Sequence, residues 1–223
     1  MKESFEYTSR FNKVPCICVI TGADRSSKNA KTGAMAQVWF LPRDIPPHEA
    51  VKKGCDRGVC GTCPLRAGRG CYVRADQAPL AIWKKWHAGG YREELPAFGI
   101  PVRFGAYGDP ASLPARYWKA LVAALCPQRW TGYTHGWRRA PWLKAWCMAS
   151  VEYMGDGQKA YAQGWSVFET TPPTREPSPD MLCLAAARGL RCEQCLRCCG
   201  APGGRQRWVQ IPAHGSKRSM VHQ

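Results

Sequence analysis

Four cysteines near the C-terminus constrain this chain more than any other feature. They read Cys183-x8-Cys192-x2-Cys195-x2-Cys198, with Cys199 adjacent. The Cys192-x2-Cys195-x2-Cys198 triplet places three sulfurs around one small volume, and Cys183 supplies a fourth. Four thiolates complete a tetrahedral zinc site or give one ligand to each iron of a cubane. Zinc more often uses two separated Cys-x2-Cys pairs, so the triplet favours a [4Fe–4S] cluster, with zinc as the alternative. A third reading is a metal-free group of thiols, which would invite oxidation.

The compartment bears on that choice. The chain has 13 Cys in 223 residues, an odd number that fits poorly with complete internal pairing. The N-terminus lacks the apolar stretch of a secretory signal, and no run of about 18 apolar residues would span a membrane. A cytoplasmic protein is expected, in which cysteines are kept as thiols and serve as ligands or core residues. Hydrophobic residues make up 45% of the chain, and ten of the residues are Trp, enough for a packed core.

A second set lies upstream, Cys55-x4-Cys60-x2-Cys63-x7-Cys71. The stretch Cys55-Asp56-Arg57-Gly58-Val59-Cys60-Gly61-Thr62-Cys63 resembles the local signature of plant-type [2Fe–2S] ferredoxins in glycines as well as cysteines. The likeness stops there, because the family's fourth cysteine lies much further downstream and its short antiparallel strands are absent. It is treated as a local likeness that carries no ferredoxin function. The simpler expectation is a second metal site with Cys60, Cys63 and Cys71 as core ligands. Its fourth position falls to Cys55 or Cys147, or stays open to a small molecule. An open position serves chemistry and a closed one clips a loop, and the spacing allows both.

Periodicity gives an α/β chain. Residues 1–28 are expected to hold a polar N-terminal arm and a first strand, Pro15–Gly22. Residues 29–180 form an α/β core that carries the Cys-rich loop 55–71, and residues 181–223 carry the cysteine knot and a basic tail. In the core, strands at Gln37–Leu41, Val102–Tyr107, Trp130–Thr134, Cys147–Val151 and Trp165–Phe168 alternate with helices at Leu80–His87, Pro114–Leu125, Trp142–Trp146 and Gly157–Ala162. A further strand is expected at Met181–Ala185 and a last one at Trp208–Ile211. Such alternation predicts a mainly parallel sheet or an incomplete (β/α) barrel with a Cys-rich C-terminal metal-binding segment.

In such sheets ligands bind beyond the carboxyl ends of strands. Asp109, His135 and Glu152 fall at such ends. Asp109 either orients a ligand hydroxyl or caps the helix entered at Pro114. His135 is a candidate acid/base or ligand. Asp109 and His135 are the candidate catalytic residues, and ordinary turn chemistry is the competing reading for each. Lys31-Thr32-Gly33 lacks the G-x4-G-K-[ST] order of a phosphate loop. His214-Gly215-Ser216-Lys217 follows a strand and is either an anion contact or a basic end.

The formal net charge is +16. Seven basic residues against one acid lie between Arg103 and Lys144, and the same ratio recurs between Arg188 and Gln223. Such an excess makes nucleic acid a candidate partner, in a salt-dependent way. A zinc-stapled nucleic-acid-binding protein is therefore the alternative to an iron–sulfur protein. An interaction protein directed at a host factor is a third class. No membrane partner is expected.

Several segments together resemble an uncharacterised family of cysteine-rich proteins carried by phages and plasmids. They are Asn29-Ala30-Lys31-Thr32-Gly33, Cys60-Gly61-Thr62-Cys63-Pro64 through Cys71-Tyr72-Val73, Gly105-Ala106-Tyr107-Gly108-Asp109-Pro110-Ala111, Thr131-Gly132-Tyr133-Thr134-His135-Gly136-Trp137, Cys147-Met148-Ala149-Ser150, the final knot and His214-Gly215. The resemblance implies a protein of a mobile genetic element and no settled activity. More distantly, a cysteine loop after an early strand of an α/β barrel is similar to the layout of radical S-adenosylmethionine enzymes, which implies redox or radical chemistry. Their Cys-x3-Cys-x2-Cys signature is absent here.

Overall fold

The computed structural model describes residues 2–23, 29–95, 99–214 and 219. Its frame is one eight-stranded sheet whose spatial order is its chain order. β1 (Ser4–Thr8), β2 (Pro15–Thr21) and β3 (Ala36–Pro42) form an antiparallel meander. β4 (Val102–Tyr107), β5 (Trp130–Thr134), β6 (Met148–Val151), β7 (Val167–Thr171) and β8 (Trp208–Pro212) each run parallel to the strand before. The mainly parallel α/β class expected from the sequence is the one observed.

Seven helices occupy the connections among the described residues: α1 (Pro47–Lys52), α2 (Arg57–Cys60), α3 (Ala78–His87), α4 (Ala115–Leu125), α5 (Met154–Ala162), α6 (Leu184–Arg188) and α7 (Cys192–Cys195). A parallel sheet whose order never reverses has no topological switch point. Helices α4 and α5 pack on one face of it, and the strand order is that of a (β/α) barrel left open. Among the described residues, no ladder joins β1 to β8.

Register sorts the side chains between the two faces. Phe104, Ala149, Val167 and Trp208 fall on the helix-covered face. There the Phe104 ring lies 4.8 Å from Trp118 of α4, and Trp208 packs over Gly157 of α5. Helix α4 presents Trp118, Leu121 and Leu125 at helical spacing, all buried. It ends at Cys126 in the left-handed conformation before Pro127, a residue that cannot continue it. On the opposite face stand Arg103, Tyr133, Ser150, Phe168 and Ile211, which line a cavity.

Three expectations change. Residues 4–8 are an edge strand, because Tyr7 buries its ring against Phe40 and Phe5, on the same face, stacks on Tyr117. The strand expected at Met181–Ala185 is reduced to a single bridge, Leu182 to Gln210. Pro179 opens a 3-10 turn before it, and the good helix formers Leu184-Ala185-Ala186-Ala187 open α6 after it. The helix expected at Trp142–Trp146 is a 3-10 turn at Pro141–Leu143. Of the expected basic tail, Gly215, Ser216, Lys217 and Arg218 lie outside the described residues, as do Ser26-Ser27-Lys28.

Candidate functional site

The carboxyl ends of β4, β5 and β6 build one corner. β4 turns at Gly108, where φ is +76° and an added Cβ would lie 2.4 Å from the Phe40 carbonyl oxygen. Only glycine tolerates that geometry. The turn delivers Asp109, which is 6% exposed. Its Oδ1 accepts from Ala111 N at 2.8 Å and from Thr134 Oγ1 at 2.6 Å. Its Oδ2 accepts from His135 N at 2.7 Å and Gly136 N at 3.2 Å. Asp109 thus caps the 3-10 turn Pro110–Ser112, not the helix after Pro114, and ties the end of β4 to the end of β5. With four donors the carboxylate has little capacity left for a ligand.

His135 projects from that anchor. Its Nε2 lies 2.8 Å from Glu152 Oε1 and 3.7 Å from Cys63 Sγ. Burial works against the imidazolium, but the Cys63 and Glu152 charges and their hydrogen bonds outweigh it and hold the pKa well above the ordinary histidine value. Both contacts use one ring nitrogen. A proton relay from the thiol through the two ring nitrogens to the carboxylate is therefore not the arrangement present.

The loop that carries Cys63 is rigidly formed. Asp56, 1% exposed, pairs with Arg66 at 2.5 Å and accepts from Ala67 N at 2.8 Å. Asp109 N donates to Val59 O at 2.7 Å, which docks α2 on the β4 turn. Cys60, Cys63 and Cys71 all line the cavity. Burial raises the Cys60 pKa well above the usual thiol range, and the Cys63, Asp56, Cys71 and Asp109 charges add to this. Neither fourth ligand expected from the sequence joins them. Cys55 is exposed and hydrogen-bonds Lys53 O, and Cys147 is buried beside Gly132, away from the cavity lining. His135 takes the neighbouring place.

The knot occupies the other end of the same face. Gly132 N donates to Cys198 O at 3.0 Å, and Trp130 Nε1 to Cys199 O at 2.8 Å. The knot thus meets β5 at Gly132, three residues before His135, which meets Cys63. Helix α7 puts Cys192 and Cys195 on one side of a single turn, and Leu196, at φ 50°, reverses the chain to bring Cys198 back. Cys183 N is anchored on Gln210 O of β8 at 2.8 Å. Cys198 and Cys183 pack with Met148, Val209, Tyr133 and Phe168. Burial, together with the charges of Cys183, Cys192 and Cys195, pushes the Cys198 thiol up, against a Tyr133 hydrogen bond that lowers it. The four thiols thus lie within one another's electrostatic reach.

Between the two groups lies a cavity of about 250 Å³. Cys60, Cys63 and Cys71 line it together with Cys183, Cys192, Cys195 and Cys198. Among the described residues, no three His, Cys, Asp or Glu side chains converge on one point as a single bound ion requires. Sequence reasoning had counted Arg103 only as charge and passed over Thr32, Tyr72 and Tyr107, all of which line the cavity. The signal that could have found two of them is period two along β4, which puts Arg103 and Tyr107 on one face. Among the described residues, no helix is long and apolar enough to cross a membrane. Comparison with protein-family models, with curated proteins and with solved structures found no match.

Proposed function

We propose that this chain is an iron–sulfur protein of a mobile genetic element that binds a small molecule between its two cysteine groups, as a redox or radical-type enzyme. The observation that carries the reading is one cavity lined by seven cysteines, four from the knot and three from the loop 55–71. The knot suits a cluster better than a single ion. In a cubane each thiolate binds a different iron, so the sulfurs surround a volume and need not meet at a point. Four thiols that oppose one another's ionisation also need a cationic group to hold them as thiolates. Zinc would demand the convergence that the described residues lack.

Cys183, Cys192, Cys195 and Cys198 would hold the cluster, and Cys60, Cys63 and Cys71 a second centre with a position open to a ligand. A bound cluster supplies one-electron chemistry. The chain's own residues do the rest. Asp109 fixes the His135 backbone. Glu152 holds a proton on His135 Nε2 beside the Cys63 sulfur. Tyr133 and Phe168, with ring centroids 4.5 Å apart, form an apolar wall that limits water in the cavity.

Anaerobic purification followed by a visible absorption spectrum and analysis for iron, acid-labile sulfide and zinc tests this reading. A brown protein with iron and sulfide is expected. A colourless protein with stoichiometric zinc would sink it and return the chain to the zinc-stapled class.

A further inference from the structure

Three polar groups in the cavity are buried with no hydrogen-bond partner: Arg103 Nε, Thr32 Oγ1 and the Tyr107 hydroxyl. Groups of this kind lose free energy by leaving water unless something replaces it. Arg103 is the costliest of them. Its guanidinium donates to Tyr72 Oη at 2.8 Å, and no carboxylate pairs with it among the described residues.

A second cation stands close by. Lys31 Nζ lies 2.7 Å from His214 Nε2 and 5.8 Å from the centre of the Tyr72 ring, which itself lies 5.0 Å from the His214 ring. His214 Nδ1 is 3.2 Å from Pro212 O, so Nδ1 carries the proton and Nε2 accepts from the lysine. Burial and the Lys31 charge lower the pKa of this ring, against the Pro212 hydrogen bond. Lys31 likewise has no carboxylate partner among the described residues. Arg103, Lys31 and Thr32 therefore make an anion-attracting corner at the knot end.

From there the wall is apolar, with Tyr133, Phe168, Ile211 and Val73. Tyr107, 4% exposed, lies on the side of the cavity within electrostatic reach of Cys60, Asp56 and Cys71. β4 bulges at Gly105 between Arg103 and Tyr107: Arg103 pairs with Gln37 and Tyr107 with Trp39, so the two stand only two strand residues apart, about 7 Å.

We infer that the cavity binds an organic anion, its carboxylate or phosphate held by Arg103, Lys31 and Thr32, its apolar body over Tyr133 and Phe168, and a second polar group on Tyr107. The inference rests on the proposed small-molecule cavity and names the class of molecule it takes. It does not require that the cluster be present. The rival is that Arg103 and Lys31 merely balance the charge of metal-bound thiolates.

The experiment is calorimetric titration of the full-length, anaerobically purified protein with octanoate, octyl phosphate and octanol, with iron assayed on the same preparation. At least one of the two anions is expected to bind, and octanol at least about tenfold more weakly. Which anion binds tighter assigns the acidic group. Arg103→Gln is expected to abolish binding, and Lys31→Gln, at an exposed position, to weaken it about tenfold while the fold is retained.

Octanol binding as tightly as the anions, no binding of any probe, or unchanged affinity in Lys31→Gln would overturn the inference. Loss of iron from Arg103→Gln and Lys31→Gln with anion affinity intact would establish the charge-balancing rival. An iron-containing protein that binds no anion refutes this inference alone. An iron-free protein that binds one refutes the iron–sulfur reading alone.

Discussion

At the scale of single residues, the corner at the end of β4 shows how much one carboxylate can organise. Asp109 accepts four hydrogen bonds from two successive turns, and two of those donors fix His135 and Gly136. Asp109→Asn keeps the shape but brings an NH2 group against donors. A buried donor left facing a donor costs about 1–3 kcal/mol, so a loss near the top of that range is expected in urea unfolding. If stability is unchanged, Asp109 is not the clamp described. Its sequence signal was its place between a strand end and Pro110, and that signal serves a ligand-orienting residue and a cap equally. The His135–Cys63 contact had no signal in sequence, because 72 residues separate the two. Arg103 was visible as a charge, but its orphaned Nε depends on Tyr72 arriving from another loop.

At the scale of elements, the strands of the parallel core were legible because their apolar residues alternate and glycine or proline closes each one. The edge strand β1 was not, since its exposed face is polar and only Phe5 and Tyr7 pack against the core. That strand and its neighbour carry a testable pH dependence. Tyr7 pairs in register with Cys16, and Cys18 follows on the same face. Burial pushes the Cys16 thiol up to about 12, drives Cys18 higher still, and raises Tyr7 well above the usual phenol value, with the Cys16 charge adding to it. The unfolded chain ionises its thiols near the ordinary value of about 8.5. Stability from these groups is therefore complete below that pH and is lost as pH rises toward the folded values, because the unfolded state then releases protons that the folded state keeps. Each such thiol is expected to lower stability by about 1.4 kcal/mol per pH unit inside the window. Urea midpoints at pH 8, 9 and 10 measure the slope, and Cys16→Ala should flatten it by roughly one thiol's share. An equal slope in that variant would show that Cys16 titrates normally. Helix α4 offers a second test: Trp118→Ala should cost about 3–5 kcal/mol through the cavity it leaves. Trp118→Phe should cost far less, because the indole Nε1 has no hydrogen bond to lose.

At the scale of the whole molecule, the knot joins what the sheet leaves apart. Among the described residues β1 and β8 do not pair. Cys183 is held on Gln210 of β8, whereas Cys192 N donates to Lys31 O and Glu193 N to Thr32 O, both at 3.1 Å, in the segment leading into β3. The Glu193 carboxylate accepts from Ala34 N. That docking depends on Gly33, where φ is +73° and an added Cβ would fall 2.2 Å from the Glu193 carboxyl carbon. The sequence displayed the knot's spacing plainly but not its partner, since a loop more than 150 residues upstream meets it only in the folded chain. Gly33→Ala separates the two roles of the knot. It touches no thiol, so the ligand set stays whole, but it strains the left-handed turn and expels the Glu193 side chain. A non-glycine residue in the left-handed region costs of order 1–3 kcal/mol. Iron in Gly33→Ala is therefore expected at the wild-type level when the protein is fresh, and to be lost to a chelator about tenfold faster, as a docking loss of about 1.4 kcal/mol would give. Cys195→Ser removes a proposed ligand, so iron should be low from the start and hydrogen exchange around Met148 and Val209 should quicken. If both variants hold iron as firmly as the wild type, the knot is neither the metal site nor the clasp between β8 and the β3 approach. If only Cys195→Ser loses it, the cluster holds the knot together without help from the loop, and the clasp is a consequence of metal binding, not its support.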